Sequence, residues 1–496
     1  MPIRSLSCPA GRAAALGLFG VLTACTGHPT NTVPPTVFQA TPALHLPAGV
    51  SDQALPAHWW ALYHDPQLNA WVVQALAHNQ DLAQAEANVQ AMLAGIGEFD
   101  ARRWPSTSIG MGARYGKSAD DQTLAEATDS HAPSQWAFNP AIELAYQVDV
   151  WGQVRAALER ARVQAEASRD ALDLVQLHVV SQTTRAYIDQ CVYSARIAAA
   201  RQSLSTLERS VQLSDRQRQA GVATELDSVR LLGLREQVRA QLPMLEARRQ
   251  MALYELSMLS GQDPTTLTDD TDTCQRIPTL AAPLPAGDAW RLLERRPDVR
   301  KAERELQAAA LEVDIVKTDL YPKVSFGASL TSSDHHLANL GDSRAVMFAL
   351  GPLISWEFPN IKANRARVNK AQALQNAQVA HYRGVALAAL KDVRQALARL
   401  EGERQRALAL GAALAQGERG FALAQRNYQA GTVDALALLD SERDLIQVRA
   451  SHVEAQGRLA RAQINLFRAL GGRWQSSPAP APSQVHRSTP ETGSQS

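Results

Sequence analysis

The chain has 496 residues, enough for a large core or several domains. Fifty Lys and Arg oppose 49 Asp and Glu, a near balance that gives no signature of a nucleic-acid or acidic-surface partner. Aromatic residues make up only 5 %, which suits long helices packed through small side chains, and no run of 18 or more apolar residues is present to span a bilayer as a helix.

Arg4 and Arg12 precede a short apolar stretch, "AAALGLFGVLTA", that ends at Cys25. The stretch is too short for a membrane span and has the form of a signal peptide. Leu22-Thr23-Ala24-Cys25 resembles a bacterial lipoprotein box, which would make Cys25 the first mature residue and the site of lipidation. Thr26, where an Asp would signal retention in the inner membrane, resembles an outer-membrane address. The alternative is an ordinary signal peptide with an incidental cysteine. A single lipid chain supplies only part of a stable anchor, so a second membrane contact is expected. Cys191 and Cys274 lack metal-ligand spacing. They read as a buried helix cysteine and a loop cysteine, with a disulfide as the alternative in an oxidising periplasm.

Beyond this segment the chain is written twice. "DLAQAEANVQ" from Asp81 matches "DVRKAERELQ" from Asp298, and "RWPSTSIGMG" from Arg103 matches "LYPKVSFGAS" from Leu320, both 217 residues apart. "AGVATELDSVR" from Ala220 matches "AGTVDALALLD" from Ala430 at an offset of 210, which also places Gln237 on Gln447 and Gly261 on Gly471. Such self-similarity marks a tandem duplication. The expected boundaries are a signal peptide over 1–24, a lipid-anchored linker over 25–60, a first repeat over 61–261, a linker over 262–290, a second repeat over 291–474, and a Pro/Ser-rich disordered tail over 475–496.

Each repeat reads helix, strand, strand, long helix, helix. In the first, the helices fall near 66–103, 153–219 and 224–259, and the strands near 106–115 and 136–150. In the second, the helices fall near 297–320, 362–429 and 434–470, and the strands near 324–331 and 345–356. Val379, Ala386, Val393, Leu400, Ala407, Leu414, Phe421 and Tyr428 recur every seven residues, a row that demands a partner helix. Leu438, Leu445, His452, Leu459 and Leu466 form a similar row, in which His452 reads as a packed, satisfied histidine. A helix over 153–219 spans roughly 100 Å and each shorter one roughly 55 Å, so two short helices end to end match one long one. Pro243 should kink its helix. Gly221 and Gly431 suit left-handed caps, and Thr224 and Asp434 are placed as N-caps.

The strands are two-faced. Trp136, Phe138, Pro140, Ile142, Leu144, Tyr146, Val148 and Val150 alternate with Ala137, Asn139, Ala141, Glu143, Ala145, Gln147 and Asp149. The other three strands alternate too, less cleanly near Met347 and Leu353. Their length and pattern fit an outer-membrane barrel; the alternative is a soluble four-stranded sheet with one buried face. Four strands with open edges cannot stand in lipid, so the barrel must be shared between subunits. Pro140 and Pro352 remove ladder donors, and a bend or bulge is expected at each.

"RRPDVRKAERELQAA" from Arg295, "YP" at Tyr321, "LPMLEARRQMALYELSMLSGQDP" from Leu242, "YQAGTVDALALLDSERDLIQVR" from Tyr428 and the lipobox together resemble the TolC-type outer-membrane efflux family, and more closely its NodT-like lipoprotein branch. The resemblance covers about residues 25–474. It implies a mainly α fold with a membrane β-barrel contribution: a homotrimer with a twelve-stranded barrel in outer-membrane lipid and a periplasmic α-barrel. It also implies a periplasmic adaptor protein, an inner-membrane pump and no catalytic chemistry or cofactor. Asp440 occupies the position of a family gate aspartate, and Asp227 lies in the matching tip of the first repeat. Ala437 stands where some members carry a second aspartate. The exposed tips Ala220, Gly221, Ala430 and Gly431 are the expected adaptor contact. Glu143, Asp149 and Glu357 are expected to face the barrel lumen. "DHH" at Asp334–His336 is expected in an extracellular loop without a metal role. The expected function is a passive exit duct for small molecules. A protein-secretion duct of the same architecture and a non-conducting coiled-coil envelope lipoprotein are the alternatives.

Overall fold

The computed structural model describes residues 50–51, 53, 56–221, 223–266, 274, 276–280, 284–285, 295–358 and 360–472. The lipobox with Cys25 and the C-terminal tail lie outside the described residues, as does most of the linker between the repeats. Among the described residues no helix is long and apolar enough to cross a membrane.

The first repeat contains α1 (Pro66–His78), α2 (Gln80–Ala101), β1 (Ser106–Gly116), α3 (Ala119–Ala127), β2 (Gln135–Val148), α4 (Gln153–Gln219), α5 (Glu225–Arg239) and α6 (Leu242–Leu259). The second contains α7 (Pro297–Lys317), β3 (Lys323–Ser332), β4 (Val346–Ser355), α8 (Ile361–Gln429) and α9 (Ala435–Ala469). The helix expected over 66–103 is two helices. Asn79 takes an extended conformation, and its side-chain oxygen accepts from Asp81 N at 3.0 Å and Leu82 N at 3.2 Å, so it caps a new helix. At Pro243 the helix is interrupted over only two residues: Ala240 and Gln241 keep right-handed helical dihedrals between α5 and α6, and the proline takes the first turn of α6, where its missing N–H costs nothing. The short α3 was not anticipated, although Ser118 and Asp121 form a legible capping box.

α4 and α8, of 67 and 69 residues, run through two tiers. Near the strands, the packing order is α2, α4, α7, α8. Towards the far end it is α5 and α6, α4, α9, α8. Each tier is an open arc of helices, with α8 at one edge of both. Small residues permit close approach within the arc: a Cβ added to Gly457 of α9 would lie 2.6 Å from Val192 of α4.

The two tiers meet at a junction built twice. Asn79 Nδ2 donates to the Leu259 carbonyl at 3.0 Å, and Arg296 Nη1 donates to the Ala469 carbonyl at 2.8 Å. These donors are 217 residues apart and these acceptors 210, the offsets of the duplication. Gly261 and Gly471 follow with φ of +71° and +81°, and a Cβ on either would strike His78 or Arg296. Each pair docks the end of a far-tier helix on the start of a near-tier helix. The main core surrounds this level, where Trp59 stacks on Phe467 at 4.8 Å and Tyr187 donates to Asp65 at 2.9 Å.

Cys191 and Cys274 are joined by a disulfide with Cα atoms 5.2 Å apart, so the reading of two unpaired thiols is overturned in favour of its alternative. Both cysteines are buried in the main core, Cys191 on α4 and Cys274 beside it. His452 packs over Gly411, but its Nδ1 has no hydrogen-bond partner, so it is packed and not fully satisfied.

Asp149 follows β2 and sets where α4 begins. Gly152 at the N-cap offers no side chain, and Asp149 instead accepts from Val154 N at 2.9 Å and Arg155 N at 3.0 Å. Two free donors of the helix start are thereby satisfied. Asp149→Ala should cost about 1–2 kcal/mol and Asp149→Asn less, read as faster amide exchange over residues 153–158 in the alanine variant. Replacing Cys191 and Cys274 by alanine should lower stability by up to about 4.5 kcal/mol through loss of loop closure. The check is a lower thermal midpoint without reductant and a difference that vanishes when the parent is reduced.

Candidate functional site: the strand wall and the hairpin tips

The four strands form one antiparallel sheet in the order β1-β2-β3-β4. Register alone sorts the side chains into two faces. Ile109, Ile142, Leu330 and Phe348 form one row across all four strands, and Thr107, Leu144, Ala328 and Leu350 form another. On the opposite face, Ser108, Glu143, Ser329 and Ala349 are in line, as are Ser106, Ala145, Gly327 and Gly351. Met347 and Leu353 lie on this second, otherwise small and polar face.

Among the described residues nothing covers the apolar face. Ile109 and Phe348 are each 83 % exposed, and Met111 and Leu350 each 69 %. A soluble sheet with one buried face would hide these side chains, so that alternative fails. Aromatic groups mark both ends of the strands. Tyr115, Trp136 and Phe138 cluster at one end. At the other end Trp151 stacks on Tyr321 at 4.8 Å, and Trp356 lies 5.2 Å from Phe358. An apolar band between two aromatic girdles is the outer surface of a membrane barrel.

Both prolines sit in register with no inserted residue, so of the expected bend or bulge the bulge is absent. Phe138 and Asp334 exchange backbone hydrogen bonds. Antiparallel pairs alternate, so Pro140, two residues on, turns its missing N–H towards Ser332. The β2–β3 ladder accordingly starts at Ala141. Ser333 N donates to the Ala345 carbonyl, which makes Phe326–Pro352 a pair without mutual backbone bonds. Pro352 therefore presents its missing donor to the open edge of β4.

Of the expected lumen residues, Glu143 is exposed within β2 on the small, polar face. Glu357 is exposed two residues beyond β4. Asp149 lies outside the strand and belongs to the α4 cap, a correction that follows from β2 ending at Val148. The "DHH" stretch ties the β3–β4 loop to the start of β2: His335 Nδ1 lies 2.9 Å from the Trp136 carbonyl, and within the loop Asp334 accepts from His336 N at 2.8 Å.

At the far end, α4 and α8 stop at Ala220 and Ala430, followed by Gly221 and Gly431 with φ of +77° and +72°. Gly431 N donates to the Tyr428 carbonyl at 3.1 Å and Thr432 N to the Asn427 carbonyl at 2.9 Å, a Schellman closure. All four tip residues are exposed. Thr224 and Asp227 form a capping box on α5, with Thr224 N donating to Asp227 at 3.0 Å. Asp434 caps α9 by accepting from Ala437 N at 2.9 Å. Asp440 is free of such duty. Its exposed carboxylate lies 3.8 Å from Arg443, a loose surface pair worth little. The structure thus separates the two aspartates by role: Asp227 holds a helix end, whereas Asp440 is presented to solvent.

Residues 71–262 and 290–472 match the family model described as outer membrane efflux protein. Outer membrane protein OprJ of Pseudomonas aeruginosa is 29 % identical over 94 % of this chain and 96 % of its own length. The pyoverdine export outer membrane protein OpmQ of the same organism is 29 % identical over 87 % of this chain and 90 % of its own. The solved structure of the outer-membrane channel OprN superposes with a TM-score of 0.81 at 28 % identity, covering 89 % of this chain and 99 % of that one. Strand wall, helical arcs and sequence agree: the chain belongs to the outer membrane efflux protein family and is the outer-membrane exit duct of a tripartite efflux pump.

Proposed function

We propose that three copies of this chain close the duct and that it passes small molecules taken from a periplasmic adaptor and an inner-membrane pump. The observation that carries this reading is the sheet with an uncovered apolar face and two unpaired edges. Three sheets of four strands give twelve, wide enough to leave a pore, whereas eight would be filled by side chains. β1 of one protomer then pairs with β4 of the next. The helices support the same closure. α8 ends the arc of both tiers and exposes Leu408 and Leu423 in the far tier, while α6 at the other edge of that tier exposes Met244, Met251 and Met258 at heptad spacing. These apolar stripes seat against each other across the subunit boundary.

In this reading the apolar face of the sheet meets lipid, and Glu143 and Glu357 face the water-filled interior. Cys25 carries the lipid that tethers the mature chain, and the repeats are bounded as the internal homology divides them, over 61–261 and 291–474. The tips Ala220-Gly221 and Ala430-Gly431 meet the adaptor. Three copies of Asp440 narrow the periplasmic mouth, with Asp227 nearby. A ring of carboxylates concentrates cations in a constriction. The chain performs no chemistry, so selection among cargoes rests with the pump that feeds it.

Asp440→Ala should lower the cation-over-anion permeability of the purified channel in planar bilayers several-fold. An unchanged reversal potential in a salt gradient would remove Asp440 from the constriction. Cys25→Ala should abolish the acyl mass on the mature protein. Intact-mass measurement of a membrane-extracted sample decides this, and an unmodified wild type would refute lipidation.

A further inference from the structure

Just above the helix tips lies a buried polar level, and one acid in it makes no ion pair among the described residues. We infer that Glu442 of α9 is a proton-operated catch: neutral, it lets α9 close on α4 above the tip; ionised, it loosens that contact and favours an open periplasmic mouth. The inference deepens the duct reading only where it speaks of the mouth; the catch between α4 and α9 stands on the packing itself.

Glu442 is 1 % exposed and lies between Leu438, Leu439 and Leu445, all buried. Leu439 packs towards α4 and α5, with Leu207, Val211 and Leu231. Leu438 and Leu445 pack towards α8, with Phe421 and Tyr428. Glu442 therefore sits inside the helix bundle, about two turns beyond the tip. Among the described residues neither carboxylate oxygen makes a hydrogen bond of good geometry, and the Ser210 hydroxyl of α4 is the polar neighbour that bears on it. The α9 N-terminus is too far to compensate, because the favourable end of a helix dipole acts over its first turn. An ionised carboxylate in such a place is heavily penalised, so the packed arrangement takes the neutral acid.

The surrounding groups leave it without rescue. From α4, Ser210 and Arg209 face it and pull its acidity the other way, less strongly than burial. Arg209 is engaged on its own helix, donating to the Ser205 carbonyl and to Thr206. From α8, the Tyr428 phenol is raised by its own burial and stays neutral. From α5, Ser228 lies 3.2 Å from Ser214 and donates to Asp215 of α4 at 3.0 Å. On α9, Asp440 and Arg443 face each other on the exposed side. The Ser210 hydroxyl, Gln217 Oε1 and the Tyr428 hydroxyl also lack partners, so this level of the bundle is the polar, incompletely bonded one.

Burial pushes the Glu442 carboxyl from 4.5 up to about 7. A group raised in the packed state favours that state fully below its free value. The advantage fades as pH climbs from 4.5 and is gone above about 7. Acid therefore closes the catch and mild alkali releases it, with a swing of up to about 300-fold in the open-to-closed ratio.

The test is amide exchange of peptides covering residues 435–450 in the detergent-purified full chain between pH 4.5 and 8, corrected for intrinsic rates. In the wild type the opening constant should rise towards that limit. In Glu442→Gln it should stay low and change less than threefold. Glu442→Leu, which fills the site with an apolar group, should be closed at every pH and guards against a misfolded glutamine variant. A flat wild type, or an undiminished pH response in Glu442→Gln, overturns the inference. His452→Gln is the control, since that imidazole lies about ten residues along the same helix, roughly 15 Å away. A response lost there and kept in Glu442→Gln assigns the effect to His452 and equally overturns it. Bilayer conductance should follow the same order, rising with pH in the wild type and staying low in Glu442→Gln. Exchange that responds in a protein that never conducts would sink the duct reading and leave the catch intact.

Discussion

Backbone hydrogen bonding in lipid is the constraint from which the assembly follows. β1 and β4 are the two edges of the sheet, and each carries a row of N–H and C=O groups that no other described strand meets. In hydrocarbon each such group left unpaired costs several kcal/mol, with no water to relieve it. A four-stranded sheet with an apolar outer face is thus unstable in the membrane alone and must borrow edges from its neighbours. Closing the sheet also fixes the helices beneath it, because α2, α4, α7 and α8 continue directly from the strands. Pro352 fits this geometry: its missing donor points to the edge, where it removes one bond from the seam between copies and none from the sheet within the chain.

The helical part solves a different problem, which is length. Two helices of nearly seventy residues cannot be matched by short ones unless these are stacked end to end, and stacked ends expose unpaired carbonyls and amides. The duplicated junction closes that gap. The Leu259 and Ala469 carbonyls receive side-chain donors from Asn79 and Arg296, and the glycines that follow allow the chain to turn where a Cβ would collide. One repeat uses a neutral amide and the other a guanidinium also paired to Asp298 at 2.7 Å. The same mechanical role survives a change of side-chain chemistry because the demand comes from the helix ends.

At the tips the bundle changes character. Its middle is apolar and stapled by a disulfide, whereas the level around Glu442 is buried, polar and only partly bonded. Regions of incomplete bonding are those that open at least cost. A duct needs a rigid wall and one place that yields, and the distribution of satisfied and unsatisfied groups places that yielding level just above the hairpin ends.

Much of this was legible in the sequence because it is local. Period-two alternation, heptad rows, the caps at Thr224 and Asp434, and the left-handed glycines at 221 and 431 depend on residues a few positions apart, and all appear where expected. The repeat was legible because both halves answer the same packing demand. Other features depend on residues far apart in the chain, and only the tertiary structure decided them. Cys191 meets Cys274 because an 83-residue excursion returns to α4. Asp149 serves a helix and not a strand because β2 ends one residue before it and the chain turns at Asp149 itself. Glu442 reads as one more charge on an amphipathic helix until α4 and α8 close over it. Sequence by itself determined the elements, their duplication and the need for partners; the fold decided which polar groups lose water, because desolvation is a property of what packs against a residue and not of its neighbours in the chain.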